Sequence, residues 1–288
     1  MKQVNIVKHR KIYFAISIIF IIVGIVFMAT KGLNYGLDFT GGTSIGIDLE
    51  KEVSASEIRE ITDKYDDKAS IVHVGEDKKE IMIKSSKNFS SQESMQMFNE
   101  FKEKYSLNSN EPLSVESIGA TVGKEIQKNA LISIIIAAVF MLIYITFRFE
   151  LKFGIAAVLG LIHDLLIMIS VYAIFRFTVD SSFIAAILTI TGYSINDTII
   201  IFDRIRENRG KGRVKSYETL VDTSIAQTIR RTLFTSVTTL VTLALIYALG
   251  VEAIRVFALP LLIGIAVGTL SSIFIATPLW YVLMIREK

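Results

Sequence analysis

Long apolar runs alternate with shorter polar stretches along the 288-residue chain. A bilayer hydrocarbon core of about 30 Å needs roughly 20 apolar residues in a helix, and six runs come within a few residues of that length. They predict membrane-spanning helices at about residues 12–30, 130–147, 153–175, 182–202, 232–250 and 257–284. The first run follows a basic tail but is longer than the apolar core of a signal peptide, so it predicts an uncleaved anchor.

Between the first two runs, residues 31–129 show the shorter patterns of a folded polar domain. Alternating apolar positions predict strands in TSIGIDL, SIVHV, EIMIK and LSVESIG, and helical spacing predicts helices over SASEIREITDKY and SSQESMQMFNEFKEKY. Ser54 with Glu57, and Ser90 with Glu93, have capping-box spacing at the two helix starts. The order β-α-β-β-α-β predicts a ferredoxin-like α+β domain. The fold class is therefore a polytopic α-helical membrane protein with six transmembrane helices and this domain between helices 1 and 2.

Composition agrees with a membrane protein. The chain is 51% hydrophobic, and its mean hydropathy is +0.50. The net charge of +3 provides no basic surplus for binding nucleic acid. The absence of cysteine excludes disulfides and thiolate metal sites. The polar domain also contains no cluster of metal ligands and no arrangement of nucleophile, His and acid, which favours a binding or lever module over an enzyme.

The distribution of Lys and Arg predicts the orientation in the membrane. If the N-terminus lies inside, sixteen of these residues fall in cytoplasmic segments, and only Arg176 and Arg255 fall in the short outer loops. Both termini are therefore expected in the cytoplasm and residues 31–129 outside. The chain divides into a tail with helix 1 (1–30), an outer domain (31–129) and helices 2–6 (130–288), with a basic cytoplasmic loop at 203–231. Within this loop, residues 216–231 have the apolar spacing of a short amphipathic helix on the inner membrane surface.

Two carboxylates fall inside predicted membrane helices. Asp164 lies beside His163 near the middle of the third helix, and Asp197 lies beside Asn196 about six residues from the inner end of the fourth. A carboxylate near the bilayer centre costs about 2.5–3.5 kcal/mol on insertion scales, so one that persists usually faces a bundle interior and has a function. Both acids are therefore candidate functional residues.

Arg230 and Arg231 precede the fifth predicted helix, which starts from the inner side of the membrane, close to the level of Asp197. Their side chains are long enough to pair with Asp197, and moving or hydrating the cation would change the proton affinity of the carboxylate. This pattern indicates a proton relay. The alternative is a buried ion pair that only fixes helix register, and in that case Asp197→Asn would be silent.

An intramembrane aspartyl protease is a further alternative, with Asp164 and Asp197 as its catalytic pair. Asp164 lies about 10 residues from the inner end of its helix and Asp197 about six, a difference in depth of about 6 Å at 1.5 Å per residue. Because a catalytic pair must meet at one depth, the spacing disfavours this chemistry.

Six segments, in family order, resemble the SecF family of protein-export membrane proteins, within the resistance-nodulation-division superfamily. They are NYGLDFTGGTSI, SIGATVGKEI, FRFE, the HD pair of the third helix, GYSINDTIIIFDRIREN and QTIRRTLFTS. The resemblance implies a subunit in the bacterial or archaeal cell membrane that works with SecD beside the SecYEG channel. It implies use of the proton-motive force to complete export of unfolded preproteins. It also implies that membrane lipid surrounds the chain, that protons are the coupling ion, and that there is no other cofactor. A proton-driven efflux pump of the same superfamily is the alternative, but such pumps usually have twelve spans and two large outer domains.

The resemblance also implies roles for individual residues. Asp197 matches the relay Asp and Arg231 the relay Arg, with Arg230 as an additional basic neighbour. Asn196 would supply a neutral hydrogen bond to Asp197, while His163 and Asp164 are supporting polar residues. The relay would be completed by an acid of SecD. The outer signature residues Asp38, Gly41 and Gly42 are expected to form a tight turn that couples helix 1 to the outer domain.

Overall fold

The computed structural model describes residues 5–75, 77–211 and 216–285. The α-helices in this part of the chain are α1 (Arg10–Lys31), α2 (Leu37–Thr40), α3 (Ala55–Thr62), α4 (Ser91–Tyr105), α5 (Ala120–Arg148), α6 (Leu151–Phe175), α7 (Ser181–Gly210), α8 (Tyr217–Leu249), α9 (Glu252–Ser271) and α10 (Thr277–Ile285). A π-helical turn, Ser272–Ala276, joins α9 to α10. The strands are β1 (Asn34–Tyr35), β2 (Gly42–Asp48), β3 (Ser70–Val74), β4 (Glu80–Ser85), β5 (Ser114–Ile118) and β6 (Thr178–Val179).

Six helical segments of the described residues are long and apolar enough to cross a membrane. They are α1, α5, α6, α7, α8 and the continuous run Ile254–Ile285 that α9, the π-helical turn and α10 form. The prediction of six membrane-spanning helices is confirmed. By contact the chain separates into two compact units. We call Met1–Asn34 with Leu131–Lys288 the membrane unit, and Tyr35–Ala130 the outer unit, after its predicted location.

The prediction of a separate surface helix at residues 216–231 is wrong. This segment forms the first turns of α8, where the Ser216 hydroxyl accepts a hydrogen bond from the Thr219 N–H at 3.2 Å and begins the helix. Its apolar residues Leu220, Val221 and Ile225 are buried in the hydrophobic core of the membrane unit. The apolar stripe faces neighbouring helices of the same chain, and much of the predicted loop 203–231 is therefore helical.

The core of the membrane unit contains the start of α6 and residues of α10 and α7. Phe153 stacks on Trp280 with ring centroids 4.7 Å apart and packs against Phe202 of α7 at 4.9 Å. The segment before α1 joins this core, because Ile6 and Val7 are buried and both their N–H groups donate to Asp222 Oδ1 of α8 at 3.1 Å. The starts of α1 and α6 and the end of α10 therefore lie at one end of the bundle.

Small residues let α9 approach α7 closely, as the spacing of Gly264, Gly268, Ser272 and Ala276 indicates. A Cβ added to Gly264 would lie 2.0 Å from Ile190 Cδ1, and one added to Gly268 would lie 2.8 Å from Ser194 Cβ. This close packing brings the Thr269 hydroxyl of α9 near the Asp197 carboxylate of α7, and the Ser272 hydroxyl of the π-helical turn near Thr198 of α7.

The outer unit contains a four-stranded antiparallel sheet in the order β3-β4-β2-β5. Ile45 of β2 pairs with Ile83 of β4, and both are buried against α4 with Phe98 and Phe101. The observed strand order is that of the predicted ferredoxin-like α+β fold. The capping box at Ser90 is present, since its hydroxyl accepts from the Glu93 N–H and the Glu93 carboxylate accepts from the Ser90 N–H.

Asp66 is a buried carboxylate of the outer unit. Burial alone would raise its pKa, but three groups favour the charged form and lower the pKa below the ordinary value. The Ser85 hydroxyl donates to Oδ2 at 2.5 Å, the Lys68 N–H donates to Oδ1 at 3.1 Å, and the Lys87 ammonium lies 3.9 Å away. The charged carboxylate therefore joins the loop before β3 to the end of β4.

Replacing Asp66 by Asn is expected to destabilise the outer unit by about 1–3 kcal/mol at neutral pH. Because the folded pKa is depressed, the stabilisation is fully present above about pH 4, the unfolded value, and is lost as pH falls through the folded pKa. Asp66→Asn should therefore flatten the acid dependence of amide hydrogen exchange in β4, whereas Asp67→Asn, at an exposed neighbour, should retain it. Equal acid profiles for both variants would contradict this assignment.

Candidate functional site

Asp197 of α7 is fully buried where three membrane helices meet. Its Oδ2 lies 3.3 Å from the Ser236 hydroxyl of α8 and 3.4 Å from the Thr269 hydroxyl of α9. These two hydroxyls lie 2.7 Å from each other. Among the described residues, Asp197 Oδ1 has no hydrogen-bond partner. A carboxylate that is incompletely bonded in an apolar bundle is costly, which makes it a candidate for function.

Protons are scarce in the three-helix cluster of Asp197, Ser236 and Thr269. Each hydroxyl has one proton to donate. The Ser236 hydroxyl also lies 2.9 Å from the Thr232 carbonyl, and the Thr269 hydroxyl lies 2.8 Å from the Ile265 carbonyl. The acceptors therefore outnumber the available protons. Protonation of Asp197 would add the donor that this cluster lacks.

No ion pair joins Asp197 to Arg230 or Arg231 in the described part of the chain. The Arg230 guanidinium lies over the Phe234 ring, 5.6 Å from its centroid. Arg231 is exposed. The buried residue Thr232 follows Arg231 in α8, and at about 100° per residue the two side chains leave the helix in different directions. The pairing of Asp197 with Arg231 stays a prediction, and it requires a movement of α8 or of the Arg231 side chain.

Asn196 is exposed in the chain, although its neighbour Asp197 is buried. No hydrogen bond between these two side chains occurs in the described residues. Helical geometry accounts for the difference, because adjacent residues point about 100° apart around the axis. Asn196 therefore faces outward from the bundle.

Asp164 forms a second buried cluster. Its Oδ2 accepts a hydrogen bond from the Ser194 hydroxyl of α7 at 2.7 Å, and its Oδ1 lies 3.1 Å from His163 Nδ1. Asp164 and Asp197 thus bond to different hydroxyl groups on different helices. This arrangement further disfavours the aspartyl-protease alternative, which requires two facing carboxylates.

Hydroxyl groups around the π-helical turn lie beside both clusters. The Ser272 hydroxyl lies 2.8 Å from the Thr198 hydroxyl and 3.2 Å from the Ser194 carbonyl. The Thr277 hydroxyl donates to the Ser272 carbonyl at 2.6 Å, within the irregular turn. π-Helical turns recur at functional sites, where the backbone departs from regular α-helical bonding. Polar contacts therefore join α7 to the π-helical turn beside the two acid clusters.

The signature residues lie in a short segment where α2 leads into β2. Asp38 lies in the first turn of α2, and Gly41 and Gly42 have φ angles of +70° and +127°. A Cβ at Gly42 would lie 2.0 Å from the Ser85 carbonyl oxygen. The carbonyl of Phe39 accepts a hydrogen bond from Gln127 Nε2 of α5 at 2.7 Å. This segment is thus packed between β4 and the first turns of α5. Its coupling to helix 1 stays a prediction.

Comparison with known proteins shows that the chain matches a protein family. The model of the family "Protein export membrane protein SecD/SecF, C-terminal" matches residues 97–286, and that of the "SecD/SecF GG Motif" matches residues 26–53. The chain is 39% identical to the protein translocase subunit SecF of Sebaldella termitidis, over 99% of this chain and 94% of that protein. It is 38% identical to the SecF subunit of Acidaminococcus fermentans, over 100% and 99% of the two chains.

The chain is also similar to a solved structure. The crystal structure of SecDF from Thermus thermophilus, described as a translocon-associated membrane protein, superposes with a TM-score of 0.88 at 32% identity. The match covers 99% of this chain but only 39% of the SecDF chain. A second SecDF structure, in a super-membrane-facing form, matches with a TM-score of 0.73.

Proposed function

Because the chain belongs to the SecD/SecF family of protein-export membrane proteins, we propose that it couples proton movement to a late stage of preprotein export. The observation that carries this proposal is the buried Asp197, held by two hydroxyls from two other helices and with one oxygen unbonded among the described residues. In this proposal Asp197 takes up a proton from the outer side and releases it to the inner side.

Protonation changes the bonding between the helices. An ionised Asp197 accepts from Ser236 and Thr269, whereas a protonated one donates into the same cluster and frees a hydroxyl for its own backbone carbonyl. The relative positions of α7, α8 and α9 therefore differ in stability between the two protonation states, which is the requirement for a proton-driven movement.

The energy available is sufficient for such a movement. One proton crossing about 150 mV releases about 3.5 kcal/mol, since 100 mV is worth about 2.3 kcal/mol per charge. A free energy of this size changes a two-state population ratio by about several hundredfold. Movement of the outer domain between two positions would then hold a translocating polypeptide against backsliding.

The exposed face of α7 provides support for SecD as the partner. Ala185, Thr189, Gly192 and Asn196 recur along this face and are all exposed in the isolated chain. Lipid-facing positions are usually large and apolar, as on α1, whereas small and polar residues allow another helix to pack closely. The adjacent helix α8 exposes Thr235, which bonds its own backbone carbonyls. A helix of SecD against this surface would bring its acid near the level of Asn196 and Asp197.

Replacing Gly192 by Leu is therefore expected to reduce co-purification with SecD at least about tenfold. The isolated chain should tolerate the change, because nothing lies within 4 Å of a Cβ at this position. The matched control is Ala15→Leu, a small exposed residue on α1, which should co-purify like the wild type. Equal recovery of SecD with Gly192→Leu would exclude this face as the interface.

The proposed function can be tested with a preprotein arrested part-way through the SecYEG channel in proteoliposomes. After ATP is removed, an imposed proton-motive force should move the preprotein outward only when this chain and SecD are present. Movement at the same rate without the chain would refute the proposed role. The cell membrane is the expected location, with SecYEG and unfolded preproteins as further partners.

A further inference from the structure

A groove opens between α1, α6 and α10 at the end of the bundle where α1 begins. Its volume is about 500 Å³, within the roughly 300–1,000 Å³ of typical ligand pockets. The rest of the lining is apolar and includes Phe14 of α1, Leu159 of α6 and Leu283 near the end of α10. Leu159 lies eight residues into α6, about 12 Å along the helix. The apolar lining therefore reaches about 12 Å along α6, far enough to contact the part of an acyl chain nearest its headgroup.

The polar part of the lining consists of two cations, Arg10 and Lys11, at the start of α1. The Arg10 guanidinium donates to the Val7 carbonyl at 2.9 Å and lies over the Tyr281 ring, 5.1 Å from its centroid. These contacts fix its position but use only part of its five N–H donors. Within residues 5–75, 77–211 and 216–285, no carboxylate forms an ion pair with either cation. No carboxylate of these described residues neutralises either charge.

We propose that this groove binds an anionic phospholipid. The phosphodiester lies on Arg10 and Lys11, and one acyl chain extends along Phe14 and Leu159. The order of the lining matches an amphiphile, since the cations stand at the start of α1, and Phe14 and Leu159 lie further toward the membrane interior. Guanidinium groups bind phosphate oxygens well, and basic pockets between membrane helices bind anionic headgroups. The predicted orientation places the site in the inner leaflet.

A bound lipid at this place would join three separate helices. The site is also adjacent to the buried segment that precedes α1, whose Ile6 and Val7 N–H groups bond to Asp222 of α8. Occupancy would therefore stabilise the position of α1 against the rest of the membrane unit. This inference does not depend on the proton-coupling proposal.

The test is native mass spectrometry of the full chain titrated with dioleoyl phosphatidylglycerol, dioleoyl phosphatidylcholine or glycerophosphoglycerol. We expect one phosphatidylglycerol to be retained at least about tenfold more strongly than phosphatidylcholine. Glycerophosphoglycerol, which has the headgroup but no acyl chains, should not be retained. Equal retention of the two lipids, or retention of the free headgroup, would overturn the proposal.

Two variants locate the lipid. The double variant Arg10→Gln with Lys11→Gln should weaken retention about thirtyfold, from about fivefold per charge at roughly 1 kcal/mol each. Leu159→Trp keeps every charge and fills the groove, so it should weaken retention of phosphatidylglycerol at least about tenfold. It also tests the site if the double variant Arg10→Gln with Lys11→Gln fails to insert into the membrane. Its control is Leu166→Trp on the same helix, since the two leucines are 39% and 37% exposed.

Lys8→Gln removes a nearby exposed charge that does not line the groove, and it should change retention less than about threefold once salt screens the general surface attraction. If Leu159→Trp binds phosphatidylglycerol like the wild type, the lipid lies elsewhere. If Lys8→Gln matches the double variant, the binding is only general attraction to a basic surface. Either result would refute the site.

Discussion

Asp197→Asn is expected to abolish the response of late-stage export to the proton-motive force, with a loss of at least about tenfold in export rate at full force. The substitution keeps the shape of the side chain and its contacts with Ser236 and Thr269 but removes the titratable proton. Each lost proton removes about 3.5 kcal/mol of driving free energy at about 150 mV. Export should be measured by pulse-chase of a secreted reporter, at equal membrane levels of the variant and wild type.

Asp203→Asn is the matched control for Asp197→Asn. Asp203 lies on the same helix six residues further on, is exposed, and pairs with Arg206 at 3.1 Å. An exposed ion pair of this kind contributes little, so the control should export like the wild type. If Asp197→Asn also exports normally at every force, Asp197 only fixes helix register, and Asp164 becomes the next candidate.

Gly42→Ala is expected to destabilise the outer unit by about 3–5 kcal/mol. The added Cβ would lie 2.0 Å from the Ser85 carbonyl oxygen and 2.9 Å from Ser86 Cα, and the φ of +127° is unfavourable for any residue with a Cβ. The colliding atoms belong to backbone at the end of β4, where Thr43 pairs with Ser85. The strand cannot move away without loss of its pairing.

Gly75→Ala is the control for Gly42→Ala, because it has a φ of +82° but nothing within 4 Å of an added Cβ. It should cost only about 1 kcal/mol, the strain of the backbone conformation alone. Amide hydrogen exchange in β2, measured in the full chain, separates the two variants. Equal exchange in both would show that strand β4 accommodates the methyl group, and the expected clash would then be absent.

The membrane helices could be predicted because an apolar run of about 20 residues with few charges is typical of a helix that spans a bilayer. The surface against which each helix face packs could not be predicted from the sequence. Leu220, Val221 and Ile225 have the same spacing whether the helix lies on a lipid surface or packs against its own chain. The pattern at residues 216–231 indicated an apolar helix face. In the structure this face is buried in the core, and the segment forms the first turns of α8.

The candidate site could likewise be predicted only in part from the sequence. Asp164 and Asp197 stand out in the sequence because charges are rare inside apolar runs. Their partners Ser194, Ser236 and Thr269 do not, because Ser and Thr in helices commonly bond the carbonyl of the preceding turn. Thr235 does only this, whereas Ser236 bonds its own helix and also reaches Asp197. The side of α8 on which each residue lies distinguishes the two cases, since Ser236 is buried against α7 and Thr235 is exposed. Which side of α8 is buried depends on the three-dimensional packing.

The most direct test of proton coupling is proton entry into proteoliposomes that contain this chain, SecD and the SecYEG channel, followed with an internal pH-sensitive dye. With an arrested preprotein and an imposed force, the wild type should admit protons as the preprotein moves, and Asp197→Asn should admit none above the lipid background. Proton entry by Asp197→Asn at the wild-type rate, with the preprotein still moving, would contradict the central role of this carboxylate.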